Sequence, residues 1–187
     1  MIAMCLGVWT AGSGIAAGQA RVIAQRESEI APFAQATYMH PDYSQPANLG
    51  YTGGVDATPF MFRGFQLALE LRFTGDSGPI AHEYTCSGGL KVAATFRGIR
   101  PYATFLEGLD AIYFTHPIAS PSGPYARDGS RMFSVGGGAD FDVGRSWQVV
   151  VDYSKQYWAL DSPDIRPYAI SMGVAYRVPF RKGKMTF

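Results

Sequence analysis

The sequence predicts an all-β chain, eight antiparallel strands wound up and down into a closed barrel. Three observations carry that prediction. Apolar and polar residues alternate with period two in eight separate segments, none of which sustains a helical period of 3.6. The connections between segments alternate in length, short then long. The apolar faces also carry far more bulk than the interior of an eight-stranded barrel accepts.

The segments follow in chain order. Alternation begins at residues 30–39, after a spacer rich in Arg, Gln and Glu. In the second, residues 49–58, Tyr51 and Val55 oppose Gly50, Thr52, Gly54 and Asp56. The third, residues 65–74, holds the clearest face: Phe65, Leu67, Leu69, Leu71 and Phe73 against Gln66, Ala68, Glu70 and Arg72. The fourth, residues 84–96, sets Tyr84, Cys86, Leu90, Val92 and Phe96 against Thr85, Ser87, Gly89, Lys91, Ala93 and Thr95. The fifth, residues 101–114, has no clean face, because Glu107 sits on one parity and Asp110 on the other. Either a bulge near Gly108 shifts the phase and brings both acids inward, or the strand ends near Glu107 and the rest extends above the membrane. In the sixth, residues 131–142, Phe133, Val135, Ala139 and Phe141 oppose Ser134, Gly136, Gly138 and Asp140. The seventh, residues 147–158, sets Trp147, Val149, Val151 and Tyr153 against Gln148, Asp152 and Ser154. The eighth, residues 166–180, sets Tyr168, Ile170, Met172, Val174, Tyr176 and Val178 against Ser171, Gly173, Ala175 and Arg177.

Short connections follow segments two, four and six, as "PFMFRG", "RGIR" and "VGRS". Longer ones rich in Gly, Pro, Ser and Asp follow segments one, three, five and seven: "HPDYSQPAN", "GDSGPIAHE", "HPIASPSGPYARDGS" and "ALDSPDI". A meander with these lengths gathers four long loops at one end and the termini at the other, the plan of a small transmembrane barrel.

Size decides which face points inward. More than two dozen bulky residues cannot enter a lumen that roughly a dozen side chains fill in a comparable barrel. The small polar set can enter, so the aliphatic and aromatic set faces lipid. Charges placed inside must then be paired, because an isolated ion there is very costly. The inward set offers the acids Asp56, Glu70, Asp140 and Asp152 and the bases Arg72, Lys91 and Arg177. A structural salt-bridge plug is the plain reading, and a proton or ion pathway the sharper one. For Glu70 and Arg72 the partners first expected are Asp56 and Lys91, on the neighbouring strands. Aromatics also recur at matched spacing, as Phe65 with Phe73, Phe133 with Phe141, and Tyr168 with Tyr176. Each pair spans about 26 Å of strand, or about 20 Å of membrane normal after tilt, close to the apolar band between aromatic girdles.

The domain plan has four parts. Residues 1–20 read as a signal peptide, apolar and rich in small residues, with Gly18-Gln19-Ala20 as the cleavage site. A positive n-region is absent, which suggests a truncated start. Residues 21–29 form a periplasmic spacer, 30–180 the barrel and 181–187 a tail. Within the leader, Ile2-Ala3-Met4-Cys5 matches a lipoprotein box poorly, and Gly7-Val8-Trp9 falls outside any alternating strand. Cys5 leaves with the leader, and Cys86 then stands alone as a small apolar strand residue.

"SMGVAYRV" in the eighth segment resembles the C-terminal β-signal of outer-membrane proteins, with Ser171, Gly173, Tyr176 and Val178 at its defining positions. With the eight-strand plan around it, the chain resembles the OmpA/OmpX-like outer-membrane β-barrel domain superfamily. The resemblance implies an exported barrel of the cell outer membrane. Its partners would be outer-membrane lipid and, during insertion, the barrel-assembly machinery that reads the β-signal.

The functional expectation is a monomeric barrel with a structural, adhesive or surface-binding role. No catalysis, cofactor or metal is expected. A net charge of +1 gives no electrostatic case for nucleic acid. Two alternatives stand. A lipid hydrolase would need a nucleophile beside a base, and His116 with Ser120, Ser122 or Ser130 supplies candidates, while His40 and His82 fall at or near loops. A soluble lipocalin-like barrel would turn the apolar face inward and leave "GGGAD" exposed.

Overall fold

The computed structural model describes residues 28–43, 46–62, 64–118, 124–159 and 165–180. The leader, most of the spacer and the tail lie outside the described residues. The strands are β1 (Ser28–His40), β2 (Asn48–Phe62), β3 (Phe65–Ser77), β4 (Ala81–Ala94), β5 (Ile99–Ile118), β6 (Tyr125–Asp142), β7 (Trp147–Trp158), β8 (Tyr168–Tyr176) and β9 (Val178–Phe180). Each strand from β2 to β8 pairs antiparallel with the next, and β1 closes the circle by pairing with both β2 and β8. β9 continues the eighth stave beyond a break at Arg177, pairing with Ser28–Ile30 of β1. The result is a closed eight-stave up-and-down barrel. Closure leaves no free sheet edge.

The wall alternates as the period-two pattern requires. In β3, Leu67, Leu69 and Leu71 are exposed while Ala68, Glu70 and Arg72 are buried. Outward aromatics form two rims. At one end Tyr51, Phe73, Tyr84 and Tyr113 run as a continuous arc over β2–β5, with ring centroids 6.1, 6.3 and 5.9 Å apart. At the other end lie Phe65, Phe96, Phe141 and the Trp147–Tyr176 edge contact at 4.9 Å. Five of the six aromatics expected at the rims are exposed. Tyr168 is half-buried, because His40 stacks on its ring at 4.9 Å.

Several segment limits move. β1 begins at Ser28, so Glu29 belongs to the barrel rather than to the spacer. "PFMFRG" is mostly strand: β2 runs to Phe62, its register against β3 shifting between Ala57 and Phe60. "GDSGPIAHE" is not a long loop. β3 extends to Ser77 and β4 starts at Ala81, and the amide of Gly78 donates to the Ala81 carbonyl at 3.0 Å. β5 and β6 likewise absorb both ends of the long "HPIASPSGPYARDGS" segment. "RGIR" is a two-residue hairpin turn: Phe96 and Ile99 exchange both amide bonds at 2.8 Å, with Arg97 and Gly98 at φ 44° and 88°. Positive φ at both central residues is the type I′ geometry that suits twisted strands.

The fifth strand carries no bulge near Gly108. Its register runs unbroken past Ser87↔Gly108 on one side and Gly108↔Met132 on the other. Asp110 points inward and is buried, whereas Glu107 points outward. The strand also does not end near Glu107; it continues to Ile118. Its faces looked mixed because its inward residues include Tyr102, Leu106 and Ile112. The rule of large outside and small polar inside therefore holds only in part. Phe33, Tyr102, Leu106, Met39, Ile112, Met132 and Trp158 all fill the interior.

Inward glycines make room for these rings. A Cβ on Gly138 would sit 2.7 Å from the Tyr102 hydroxyl and 2.0 Å from the Val151 carbonyl oxygen. One on Gly54 would sit 2.6 Å from the Phe33 ring. We predict that Gly138→Ala lowers unfolding free energy by about 1–3 kcal/mol through overpacking, measured by urea titration in phosphatidylcholine vesicles. Measured against Tyr102→Leu alone, adding Gly138→Ala is expected to cost less, because only the contact with the Val151 carbonyl oxygen then remains.

Candidate functional site

The interior between the two rims is polar and ionic. Arg72 on β3 donates from Nε to Glu70 at 2.6 Å and reaches across the lumen to Asp152 on β7 with Nη1 and Nη2 at 2.7 and 3.2 Å. The Tyr102 hydroxyl donates to the same Asp152 at 2.9 Å. Lys91 on β4 donates to Asp56 on β2 at 2.8 Å, lies 3.3 Å from Asp140, and sits 3.9 Å from the Tyr102 ring centroid. Six of the seven residues expected in the network thus meet around Tyr102.

The expected partners are not the ones found: Glu70 and Arg72 pair with each other, Arg72 reaches Asp152 on a strand that is not its neighbour, and Lys91 pairs instead with Asp56 and Asp140. Arg177 stands apart. It lies beside the β8–β9 break, where its amide donates to the Ser146 carbonyl at 2.7 Å and its side chain meets Asp142 at 3.1 Å. Arg100, Glu29 and Asp142 were missed. Arg100 bridges Glu29 at 3.0 Å and Asp142 at 3.1 Å, and Gln148 donates to the same Asp142 oxygen. Parity points to all three: Asp142 continues the inward phase of Ser134 and Asp140, Glu29 shares that of Ala31 and Gln35, and Arg100 that of Tyr102 and Thr104, the last two lying just before the predicted segments begin.

Little space remains around these groups. Two voids lined by network residues measure about 20 and 10 Å³, room for about one water in the larger and barely one in the smaller. Towards the loops, Thr37, Thr52, Thr74 and Ser171 join in a hydroxyl ladder with spacings of 2.7 to 3.0 Å. Above it, Asn48 donates to Asp76 at 2.7 Å, and the Tyr43 hydroxyl donates to Glu83. Burial, reinforced by the Glu83 charge, pushes the Tyr43 phenol above its ordinary value, so it remains a donor. An apolar cluster of Ala81, Ile112, Met132, Trp158 and Ile165 closes the loop end beside them.

The β-signal positions divide by face. Ser171 and Gly173 point inward, whereas Tyr176 and Val178 are exposed. A Cβ on Gly173 would lie 2.0 Å from the Ala34 carbonyl oxygen, so this stave demands glycine where it meets β1. Cys86 is exposed on the outward face.

Among the described residues the candidates His116 and Ser130 do not pair. His116 is exposed, and the Ser130 hydroxyl donates to Asp110 at 2.6 Å. Ser120 and Ser122 lie outside the described residues. An exposed Ser–His contact does occur elsewhere: Ser77 Oγ lies 2.8 Å from His82 Nδ1 across the β3–β4 turn. Among the described residues no third side chain bonds that ring to orient it, as a working base requires. Nor do the described residues contain a cluster of three or more His, Cys, Asp or Glu able to hold a metal.

A closed barrel of eight antiparallel strands, aliphatic outside and ionic inside, is the fold of the small outer-membrane β-barrels. Among solved structures the chain is similar to Neisserial surface protein A, with a TM-score of 0.57 and 13% identity over 80% of this chain and 96% of that one. It is similar also to Ail, the attachment invasion locus protein of Yersinia pestis, with a TM-score of 0.52 and 15% identity over 82% and 99%. The N-terminal β-barrel domain of Pseudomonas aeruginosa OprF aligns with a TM-score of 0.51 and 18% identity over 82% and 100%. No family model and no curated protein matches the sequence.

Proposed function

We propose that the chain is an integral outer-membrane barrel with a structural, adhesive or surface-binding role, a lumen closed to solutes and no chemistry of its own. One observation carries the reading. Large aliphatic and aromatic residues are exposed all around the wall, while Glu70, Arg72, Lys91 and Asp152 are buried inside. That arrangement is backwards for a water-soluble barrel and right for one immersed in lipid. A lipocalin-like carrier would need an apolar cavity in the lumen, and an ionic network occupies that place. The likeness to small outer-membrane barrels supports the location. Ser28 and Phe180 at the ends of the wall and the β2–β3, β4–β5 and β6–β7 turns then face the periplasm, the other connections face outward, and Ser171, Gly173, Tyr176 and Val178 are offered to the assembly machinery. No partner chain is needed to complete the wall, which suits a monomer.

Fractionation of the host cells tests the location: the protein should require detergent and migrate differently on a gel when unheated. Free solubility in buffer would sink the reading. In planar bilayers the purified barrel is predicted to give no resolvable single-channel current. A steady conductance would show instead that the lumen is an ion pathway.

A further inference from the structure

The outward wall is not uniformly apolar. On β1–β4 the outward residues between the rims are all uncharged, whereas β5–β8 and the segment entering β8 carry Glu107, Arg131, Lys155 and Arg166. These charges gather toward the loop end. Arg131, Arg166 and Glu107 line one cavity of about 350 Å³, whose apolar wall includes Phe133 and Tyr157.

The cations are held rather than loose. Arg166 lies over the Tyr157 ring at 6.0 Å, and its amide donates to Asp42 at 3.2 Å. Lys155 lies over the Tyr168 ring at 5.8 Å. Tyr157 is itself stacked on Phe133 at 4.6 Å with the planes 7° apart. Among the described residues, none of the three cations has a carboxylate within ion-pair distance. With Glu107 the one described acid lining the cavity, the three cations leave an excess of positive charge on a membrane-facing wall, which is costly unless lipid anions meet it.

Directly below, the wall is hollowed. Val135 pairs with Lys155, and Gly137 pairs with Tyr153 two residues further from the loops, about 7 Å along the strand. There an apolar groove of about 420 Å³ runs between Gly137, Ala139, Phe141, Val151, Tyr153 and Ile170. It exists because β6 presents Gly137 and Ala139 outward where β3 presents Leu67, Leu69 and Leu71. A cationic, aromatic-backed cavity at headgroup height thus stands above a smooth groove at chain height, on the same pair of strands.

We propose that the outer face of β6–β8 is a binding site for a phosphate-bearing lipid of the outer leaflet. Arg131, Lys155 and Arg166 take the headgroup phosphates, and an acyl chain lies along Gly137 and Ala139. Charge complementarity selects a polyanionic headgroup, and the groove selects a lipid over a free phosphate. The site rests on the reading of the chain as a membrane barrel with its loops outward.

The test uses the folded full barrel in detergent and native mass spectrometry, with lipid A as the probe in bisphosphorylated and fully dephosphorylated forms. The wild type should retain the bisphosphorylated form at least about tenfold better, the worth of one charge-assisted contact or more. Arg131→Gln/Lys155→Gln/Arg166→Gln should bring the two forms within about twofold of each other. Ala139→Phe, which fills the groove, should weaken both forms and keep the preference. Unheated gel mobility checks folding, and Arg166→Gln alone serves if the triple variant does not fold. No preference in the wild type overturns the site, as does a preference unchanged in the folded triple or single variant. Failure of the wild-type chain to require detergent would overturn the membrane reading instead, so the two failures are separable.

Discussion

Arg72→Met is expected to be the most damaging single change inside the barrel, lowering the unfolding free energy by about 3–5 kcal/mol. Arg72 is buried and serves two carboxylates on opposite walls, Glu70 beside it and Asp152 across the lumen. Removing it leaves both acids in a space with no room for bulk water. Tyr102 still donates to Asp152, but Glu70 Oε2 has no donor among the described residues even in the intact network. The loss therefore measures stranded charge more than the worth of the original pairs. A second variant isolates the two. Arg72→Met/Glu70→Gln/Asp152→Asn removes the charges together and should recover most of the stability. Urea titration in phosphatidylcholine vesicles, followed by tryptophan fluorescence, reads both. Equal losses in the single and triple variants would show that the place of the guanidinium over the Phe33 ring, rather than its ion pairs, holds the site.

The contrast between β3 and β5 explains what the sequence made legible. A lipid-facing wall favours apolar groups, and β3 carries only such groups outward from Phe65 to Phe73, so "FQLALELRF" shows its period without ambiguity. The interior imposes no such rule. Tyr102, Leu106 and Ile112 fill volume left by glycines on other staves, and a strand with apolar residues on both faces has no readable parity. Glu107 added to the confusion, because its outward place makes sense only beside Arg131 and Arg166, which come from elsewhere in the chain. The ionic residues were visible as inward candidates, yet their pairing was not. Arg72 and Asp152 lie on β3 and β7, and whether they meet depends on the stagger with which the sheet closes. That quantity is set by all eight strands and is written in no local segment. Glu29 and Arg100 were hidden for a simpler reason. Charged residues at strand ends look like spacer or turn until the ladder is extended to include them.

A second substitution separates the lipid-facing from the water-facing interpretation of the wall. Leu69→Arg is expected to lower stability in vesicles by about 2–4 kcal/mol, and Phe73→Arg by about 1 kcal/mol or less from the charge itself. Leu69 lies midway between Phe65 and Phe73 and is 57% exposed. If its surroundings were water, an arginine there would change stability by less than about 0.5 kcal/mol, since it breaks no contact and buries no charge. If they are acyl chains, the guanidinium must reach about 10 Å to a headgroup or draw water to itself. The depth profile is thus more telling than either value. A cost that rises from the rim toward Leu69 and falls again at Phe65 marks a hydrocarbon slab; a flat profile marks a solvated surface. Urea titration of the three arginine variants, repeated in bilayers of thinner lipid, checks the argument once more. Thinning shortens the path from Leu69 to the headgroups, so the penalty there should shrink while the penalty at the rims stays the same.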